Sequence, residues 1–155
     1  MLTWDDIDYT LGVTKQDTDD LIADMSREDR ACAKAIWGDL PWLVKQVVHG
    51  PRATRVGFGR CKRTGRMLGA SGVYKETLVG DTVMPWILLT EYGREQVSRT
   101  MIYREARALI RELKGEGLRL KVTAPRRAKH VRWLKSLGFR ITYASDTLVN
   151  LETRP

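Results

Sequence analysis

The sequence predicts a single α/β (α+β) domain in which helices flank a mixed central sheet. Apolar residues recur at helical spacing in the first third of the chain, alternate at strand spacing in the middle, and show both patterns by turns towards the end. The 155 residues are 43% hydrophobic and 30% charged, which suffices for one core and is too apolar for a disordered polyelectrolyte. We therefore expect one domain over residues 1–155.

Three helices are expected in the first third of the chain. Thr14 and Ser26 are good N-capping residues, and each is followed by apolar side chains at intervals of three or four. A third amphipathic segment covers residues 40–48. Gly50 and Pro51 end it, because proline has no N–H to continue a helix.

The middle of the chain changes to strands. Residues 55–61 and 67–74 flank a short turn that contains Gly65, as in a β-hairpin. Residues 83–90 are apolar at consecutive positions, which is typical of a strand buried on both faces. Pro85 is expected at the beginning of that strand rather than in its middle, because proline cannot donate to a neighbouring strand.

The second half of the chain alternates helices and strands. The longest helix is expected over residues 95–114, with one apolar stripe. Residues 118–123 alternate as a strand that should lie beside residues 86–90 in the sheet. Pro125 is then expected to open another helix. The apolar runs that follow Gly138 predict a terminal hairpin.

Charge is unevenly distributed along the chain. The formal net charge is +8, although residues 5–39 are acidic, because residues 52–66 and 94–135 are rich in arginine and lysine. This asymmetry suggests an anionic partner, namely a phosphorylated cofactor, a nucleic acid or an acidic protein surface; a solvated face that serves only solubility is the alternative. A nucleic acid is expected to use basic helix faces that carry Arg104, Arg107, Arg111, Arg126, Arg127 and Lys129.

The composition argues against a metal site and a membrane span. Two cysteines and two histidines offer no metal-ligand spacing among neighbouring positions, and no apolar run approaches the roughly 20 residues that cross a bilayer. His130 is expected to be structural, because no Cys, Asp or Glu near it in sequence would activate it. We therefore expect no metal and no membrane partner.

Two segments resemble the GCN5-related N-acetyltransferase (GNAT) family. Residues 128–139, Ala-Lys-His-Val-Arg-Trp-Leu-Lys-Ser-Leu-Gly-Phe, are similar to the family's late helix and its closing Gly-Phe, and residues 84–90, Met-Pro-Trp-Ile-Leu-Leu-Thr, are similar to its central strand. The order of elements from residue 26 onwards agrees with the family. The resemblance implies a GNAT-like mixed sheet, with acetyl-CoA as the cofactor if the chain is active.

A narrower resemblance is to a branch of this fold encoded by short-tailed bacteriophages of the T-seven group. Its members share a Trp-Leu-Leu-Thr-like strand, a strongly basic central helix and a His-Val-Arg-Trp-Leu-Lys-Ser-Leu-Gly-like segment, matched here by residues 86–90, 94–114 and 130–138. This branch is associated with virion assembly and with internal proteins of the particle. The resemblance implies phage structural or host proteins as partners, in the host cytoplasm or the virion.

The segment that holds the CoA pyrophosphate in active members departs from the family. Active members have two small residues there, because a Cβ would block the close approach of backbone to phosphate. Val97 and Arg99 occupy those positions. The cofactor-binding residues that the resemblance implies are Leu89, Thr90, Arg94, Val97, Ser98, Arg99 and Thr100.

The catalytic groups are also incomplete. The tyrosine that reprotonates the leaving thiolate in many active members corresponds to Leu134, which has no proton to donate; Tyr92 and Tyr103 are the alternative donors. Glu91 follows the central strand and is the candidate base for the incoming amine; facing solvent without a role is the alternative. These departures favour a non-catalytic virion assembly or internal protein. The alternative is an acetyl-CoA-dependent N-acetyltransferase with an atypical pyrophosphate loop.

Overall fold

The computed structural model describes residues 1–38 and 40–153, and for residues 40–43 it describes the backbone without the side chains. One seven-stranded sheet forms the centre, with the strand order β1-β2-β3-β4-β5-β7-β6. Helices cover both of its faces. The predicted fold class, a single α+β domain with a mixed sheet, is confirmed.

The first two of the three N-terminal helices begin where the capping residues predict. The three are α1 (Lys15–Asp24), α2 (Arg27–Trp37) and α3 (Leu40–His49). The Thr14 hydroxyl accepts the Asp17 N–H and the Ser26 hydroxyl accepts the Asp29 N–H, each over 3.1 Å. Ahead of them lie a 3-10 turn and strand β1 (Ile7–Leu11), which pairs with the next strand and was not predicted.

The hairpin and the central strand follow as β2 (Ala53–Cys61), β3 (Met67–Lys75) and β4 (Thr82–Leu89). All three pair antiparallel. Two expectations for β4 are wrong. Pro85 lies in the middle of the strand, opposite Val73. Ile87 is 40% exposed, so β4 is not buried on both faces.

The parallel neighbour of β4 is β5 (Arg119–Pro125). Within the described chain their pairing is limited to Thr82 with Arg119 and Val83 with Leu120. The prediction that the two strands are neighbours in one sheet is confirmed, but residues 86–90, the predicted neighbours of residues 118–123, are not the ones that pair with β5. The paired part precedes Trp86, and beyond it the strands are no longer hydrogen-bonded to each other. We call the gap beside the C-terminal half of β4 the slot.

Two helices, not one, connect β4 to β5. The first is α4 (Glu91–Gln96), and the second is α5 (Arg99–Gly115), four residues later than predicted. The break occurs because the Ser98 hydroxyl accepts the Met101 N–H over 3.1 Å and thereby starts a new helix. Val97, predicted within the long helix, lies between the two.

The chain ends with α6 (Ala128–Ser136), β6 (Phe139–Ala144) and β7 (Leu148–Thr153). Pro125 does not open α6 but ends β5, where it lies opposite Leu148. The predicted hairpin is confirmed, and β7 lies between β5 and β6.

The core has two parts, one on each face of the sheet. Residues of α5 and α6 pack on one face with apolar side chains of β5 and β7, among them Leu113, Leu120 and Leu151, which are fully buried. On the other face, residues of α1, α2 and α3 pack against β2 and β3. Burial contributes about 25 cal/mol of stability per Å² of apolar surface. The buried apolar side chains of each helix layer are therefore the main contribution to its packing on the sheet.

Candidate functional site

The backbone of β4 determines which groups face the slot. The Thr90 N–H donates to the Leu68 carbonyl of β3 over 3.0 Å, so the Leu89 N–H points the other way, towards the slot. The same alternation directs the backbone of Ile87 and Pro85 to that side. Proline in mid-strand is tolerated there, because β5 no longer pairs with β4 at that point.

The junction between α1 and α2 bonds to the end of β4 on the slot side. The Leu89 N–H donates to Asp29 Oδ2 over 2.8 Å, and the Leu89 carbonyl accepts the Ser26 N–H over 2.8 Å. Met25 forms an antiparallel bridge with Thr90. This junction therefore extends the sheet as a short added strand would. We call Met25, Ser26, Glu28 and Asp29 the plug.

Arg94 of α4 bonds to three residues of the plug. Its Nε donates to Ser26 Oγ over 2.8 Å, and its terminal nitrogens lie 2.7 Å from Asp29 Oδ1 and 3.1 Å from Glu28 Oε2. The Arg94 side chain is 33% exposed and that of Asp29 15% exposed, so this is a partly desolvated network rather than a surface pair. The guanidinium predicted to hold phosphate is thus bonded to carboxylates.

Glu28 carries the plug's contacts on to α6. Its Oε1 lies 3.1 Å from His130 Nε2 and 3.6 Å from Lys129 Nζ. The hydrogen bond with His130, followed by the charges of Arg94 and Lys129, lowers the pKa of Glu28 against the opposing effect of burial. The acidic partner of His130 therefore comes from a helix that is distant in sequence, where the residues around His130 gave no sign of it.

The other predicted cofactor-binding residues have local structural roles or lie at the surface. Thr90 is fully buried: its hydroxyl donates to the Met67 carbonyl over 2.7 Å and accepts the Gly93 N–H over 2.9 Å. Ser98 caps α5 and Val97 ends α4, whereas Arg99 and Thr100 are exposed in the first turn of α5. The structure gathers only Leu89, Thr90 and Arg94 around the plug, and cofactor binding by all seven stays a prediction.

The candidate catalytic groups do not converge on the slot. Glu91 Oε1 accepts the Arg27 N–H over 2.5 Å, so this carboxylate caps α2. Tyr103 donates its hydroxyl proton to the Ser136 carbonyl over 3.0 Å. Tyr92 lies under the Arg66 guanidinium, which is 4.0 Å from its ring centroid, on the β3 side. Leu134 is buried in the core.

A small cleft lies beside the plug on its β3 side. It has a volume of about 210 Å³ and is lined by Ala23, Asp24, Met25, Arg66, Met67, Thr90, Glu91 and Tyr92. Small-molecule sites usually enclose about 300–1,000 Å³. The cleft is therefore too small to enclose a cofactor of the size of acetyl-CoA; its lining includes the carboxylates of Asp24 and Glu91 and the guanidinium of Arg66.

No helix in residues 1–38 and 40–153 combines the length and apolar character needed to cross a membrane. Across the same residues, histidine, cysteine, aspartate and glutamate do not gather in a group of three or more that could hold a metal ion.

Sequence reasoning missed the plug. Asp29 lies near the start of α2, where its N–H donates to the Ser26 hydroxyl. Nothing local indicates that its carboxylate reaches Leu89, because that contact spans 60 positions in the chain. The only available signal was compositional, namely the acidic pair Glu28 and Asp29 beside a basic central helix.

Solved structures of acetyltransferases share this fold. The chain is similar to a GCN5-related N-acetyltransferase from Kribbella flavida, with a TM-score of 0.64, 13% identity and 99% of each chain covered. It is similar to the ribosomal-protein-S5-alanine acetyltransferase of Vibrio fischeri, with a TM-score of 0.61 and 13% identity over 98% of this chain and 94% of that chain.

A third similar structure is an acetyltransferase from Bacillus subtilis in complex with CoA, with a TM-score of 0.59 and 14% identity over 96% of this chain and 99% of that chain. No model of a protein family matches the sequence, and no curated protein does. The likenesses show that the chain has the GNAT fold. The narrower resemblance to a phage branch stays a prediction.

Proposed function

We propose that this chain is a GNAT-fold binding protein that does not transfer acetyl groups, encoded by a short-tailed phage and used in assembling its particle. The observation that carries the first part is the pair of hydrogen bonds between Leu89 and the plug. A backbone N–H and carbonyl at the end of β4 would be the natural partners for the amide groups of a cofactor in the slot. Here both are already satisfied within the chain.

The residues at the slot do not fit acetyl-CoA in this arrangement. A cofactor that bonded to the Leu89 backbone would have to displace Asp29 and Ser26. Their displacement would disturb the ion pairs that Arg94 forms with Asp29 and Glu28. Breaking hydrogen bonds to partly buried charged groups costs about 1–3 kcal/mol in typical cases. The pyrophosphate segment adds a second obstacle, because Val97 and Arg99 stand where active members have small residues.

The second candidate function is acetyl-CoA-dependent N-acetylation of an amine. The names of the structural neighbours favour it over a non-catalytic phage protein, and one of those neighbours contains CoA. It requires the plug to leave the slot. Glu91 and Asp24, which line the small cleft, are the carboxylates placed to attract a cationic amine in that case.

Thermal unfolding with and without acetyl-CoA separates the two candidates. A ligand present at 100 times its Kd adds about 2.7 kcal/mol to stability. We expect no shift in Tm at millimolar acetyl-CoA and no acetylation of a panel of polyamines and peptide N-termini. A saturable rise in Tm, accompanied by release of free CoA in the presence of an amine, would refute the proposal and establish the second candidate.

The assembly role needs its own test. The three segments that resemble the phage branch support it, as does the strongly basic charge, which suits an anionic or protein partner in a particle. Mass spectrometry of purified particles should detect the chain, and deletion of its gene should reduce the yield of infectious particles. A normal yield from the deletion strain would contradict an assembly role. It would not affect the conclusion drawn from thermal unfolding with acetyl-CoA.

A further inference from the structure

The layer formed by α5 and α6 has a surface on which positive charge is uncompensated. The six basic residues that define this surface, called here the basic face, are exposed: Arg104, Arg107, Arg111, Lys114, Arg132 and Lys135. None of the six forms an ion pair with any residue that the structure describes. Residues 117–145 contain no aspartate or glutamate at all.

The acidic residues of α5 lie on its other flank. Glu112 and Glu116 both pair with Arg55 of β2, and Glu105 stands two helical turns before Glu112, on the same side. The helix is therefore divided along its length into an acidic flank towards β2 and a basic flank towards α6. This separation of charge distinguishes the basic face from an ordinary solvated surface, on which the two signs are interspersed.

Contacts between α5 and α6 bring the two sets of basic residues together. The Tyr103 hydroxyl bonds to the Ser136 carbonyl at the end of α6, and a shallow groove runs along Arg107, Arg111 and Lys114 with Leu137 at its edge. Lys129 and Arg126, which the sequence assigned to the same surface, are instead engaged with Glu28 and the Ser145 carbonyl at the other end of α6.

We infer that the basic face binds the phosphodiester backbone of a nucleic acid without regard to sequence. The stripe from Arg104 to Lys114 is about 15 Å long, because an α-helix rises 1.5 Å per residue. One strand of duplex DNA presents a phosphate about every 3.4 Å, so the stripe faces about four phosphates with four cations. Three of these four are arginines, whose planar forks suit phosphate oxygens.

The inference does not depend on the slot, because the basic face lies on the α5–α6 layer, whereas the plug lies at the α1–α2 junction and in the first turn of α2. It holds whether or not the chain binds acetyl-CoA. An acidic protein and an anionic membrane are the rival partners for such a surface. A regular run of charge at nearly constant spacing favours a polymer with a regular run of opposite charge.

Fluorescence anisotropy with labelled 20-nucleotide single-stranded DNA and a 20-base-pair duplex tests the inference. The variant Arg104→Gln/Arg107→Gln/Arg111→Gln removes three charges from the basic face. Its matched control, Lys34→Gln/Lys45→Gln/Arg63→Gln, removes three exposed charges from α2, α3 and the β2–β3 turn. Circular dichroism melting checks that both variants are folded, and poly-L-glutamate and phosphatidylglycerol vesicles serve as rival anions.

We expect wild-type affinity for at least one oligonucleotide to fall steeply with salt, and the basic-face variant to bind at least tenfold more weakly. The slope of log affinity against log salt should decrease by about 2–3, since each lost phosphate contact removes about 0.7–0.9. The control should change affinity less than threefold. Equal weakening by both variants, no binding at about 50 mM salt, or tighter binding to poly-L-glutamate or vesicles would each overturn the inference.

Discussion

Asp29 and Leu89 are joined by a hydrogen bond of 2.8 Å from the backbone N–H of the strand residue to the carboxylate of the helix residue. The same carboxylate receives the Arg94 guanidinium on its other oxygen. The Asp29 side chain thus bonds both to the slot edge of β4 and to α4, the helix that follows β4. Its two roles explain why the α1–α2 junction lies where the fold would otherwise leave an opening.

Replacing Asp29 with alanine should destabilise the protein by about 1–3 kcal/mol, because the Leu89 N–H and the Arg94 guanidinium lose a partly buried partner. Urea unfolding of the variant measures the change. Asp24→Ala is the matched control, since Asp24 is exposed at the end of α1. Equal stability of Asp29→Ala and wild type would show that the plug is not held by this carboxylate.

Thr90→Val tests the buried hydroxyl behind the plug. Valine has nearly the same shape, but it cannot donate to the Met67 carbonyl or accept the Gly93 N–H. Leaving buried polar groups unsatisfied costs about 1–3 kcal/mol. Thr100→Val, at an exposed position of α5, should change the unfolding free energy by less than about 0.5 kcal/mol. If the two variants were equally stable, the structural role assigned to Thr90 would be wrong.

Gly93→Ala tests how closely α4 packs on β3. A Cβ at Gly93 would lie 1.8 Å from the Leu68 carbonyl oxygen, so the backbone must shift to admit it. We expect a loss of about 3 kcal/mol, at the upper end of overpacking costs. Gly115→Ala meets nothing within 4 Å and should be neutral or stabilising by up to about 1 kcal/mol. A stable Gly93→Ala variant would contradict the position of α4.

The contribution of Glu28 should depend on pH. Its folded pKa is lowered from an ordinary value near 4.5, so its charged form is favoured in the native state. The resulting stability is fully present above about pH 4.5 and is lost as the pH falls through the lower, folded pKa. Glu28→Gln should therefore be less stable than wild type at pH 7, and the difference should shrink towards pH 3.

Chemical unfolding at a series of pH values measures that difference directly. Glu95→Gln, an exposed change on α4, is the control and should have little effect at any pH in the series. A difference between wild type and Glu28→Gln that grows on acidification would have the wrong sign and would refute the assigned network.

Local signals in the sequence account for much of the fold. The capping hydroxyls of Thr14 and Ser26 mark the starts of α1 and α2, and the apolar stripe of α5 predicts its buried side. The predictions that are wrong concern features that depend on contacts between segments distant in sequence, or on a local hydrogen bond that periodicity does not reveal. Pro85 fits mid-strand only because β5 has separated from β4, and a single periodic stripe cannot show that Ser98 interrupts the helix.

The candidate site was less predictable than the fold. The resemblance implies cofactor-binding residues at the end of β4 and at Arg94. In the structure both bond to the same plug residues. Their partners, Ser26, Glu28 and Asp29, lie 60 or more positions away in the sequence and are joined to them only by folding. The charge composition predicts a basic surface. It does not predict that Lys129 pairs with Glu28, or that Arg132 has no ion pair within the described residues.

The backbone resonance of Leu89 reports most directly on whether the slot is closed. In a ¹⁵N-labelled sample titrated with acetyl-CoA to a few millimolar, the account predicts that the Leu89 N–H signal stays at its position and remains protected from hydrogen exchange, because Asp29 retains it. A saturable shift of Leu89 together with Ile87, and loss of that protection at intermediate cofactor, would show that acetyl-CoA displaces the plug and would contradict the account.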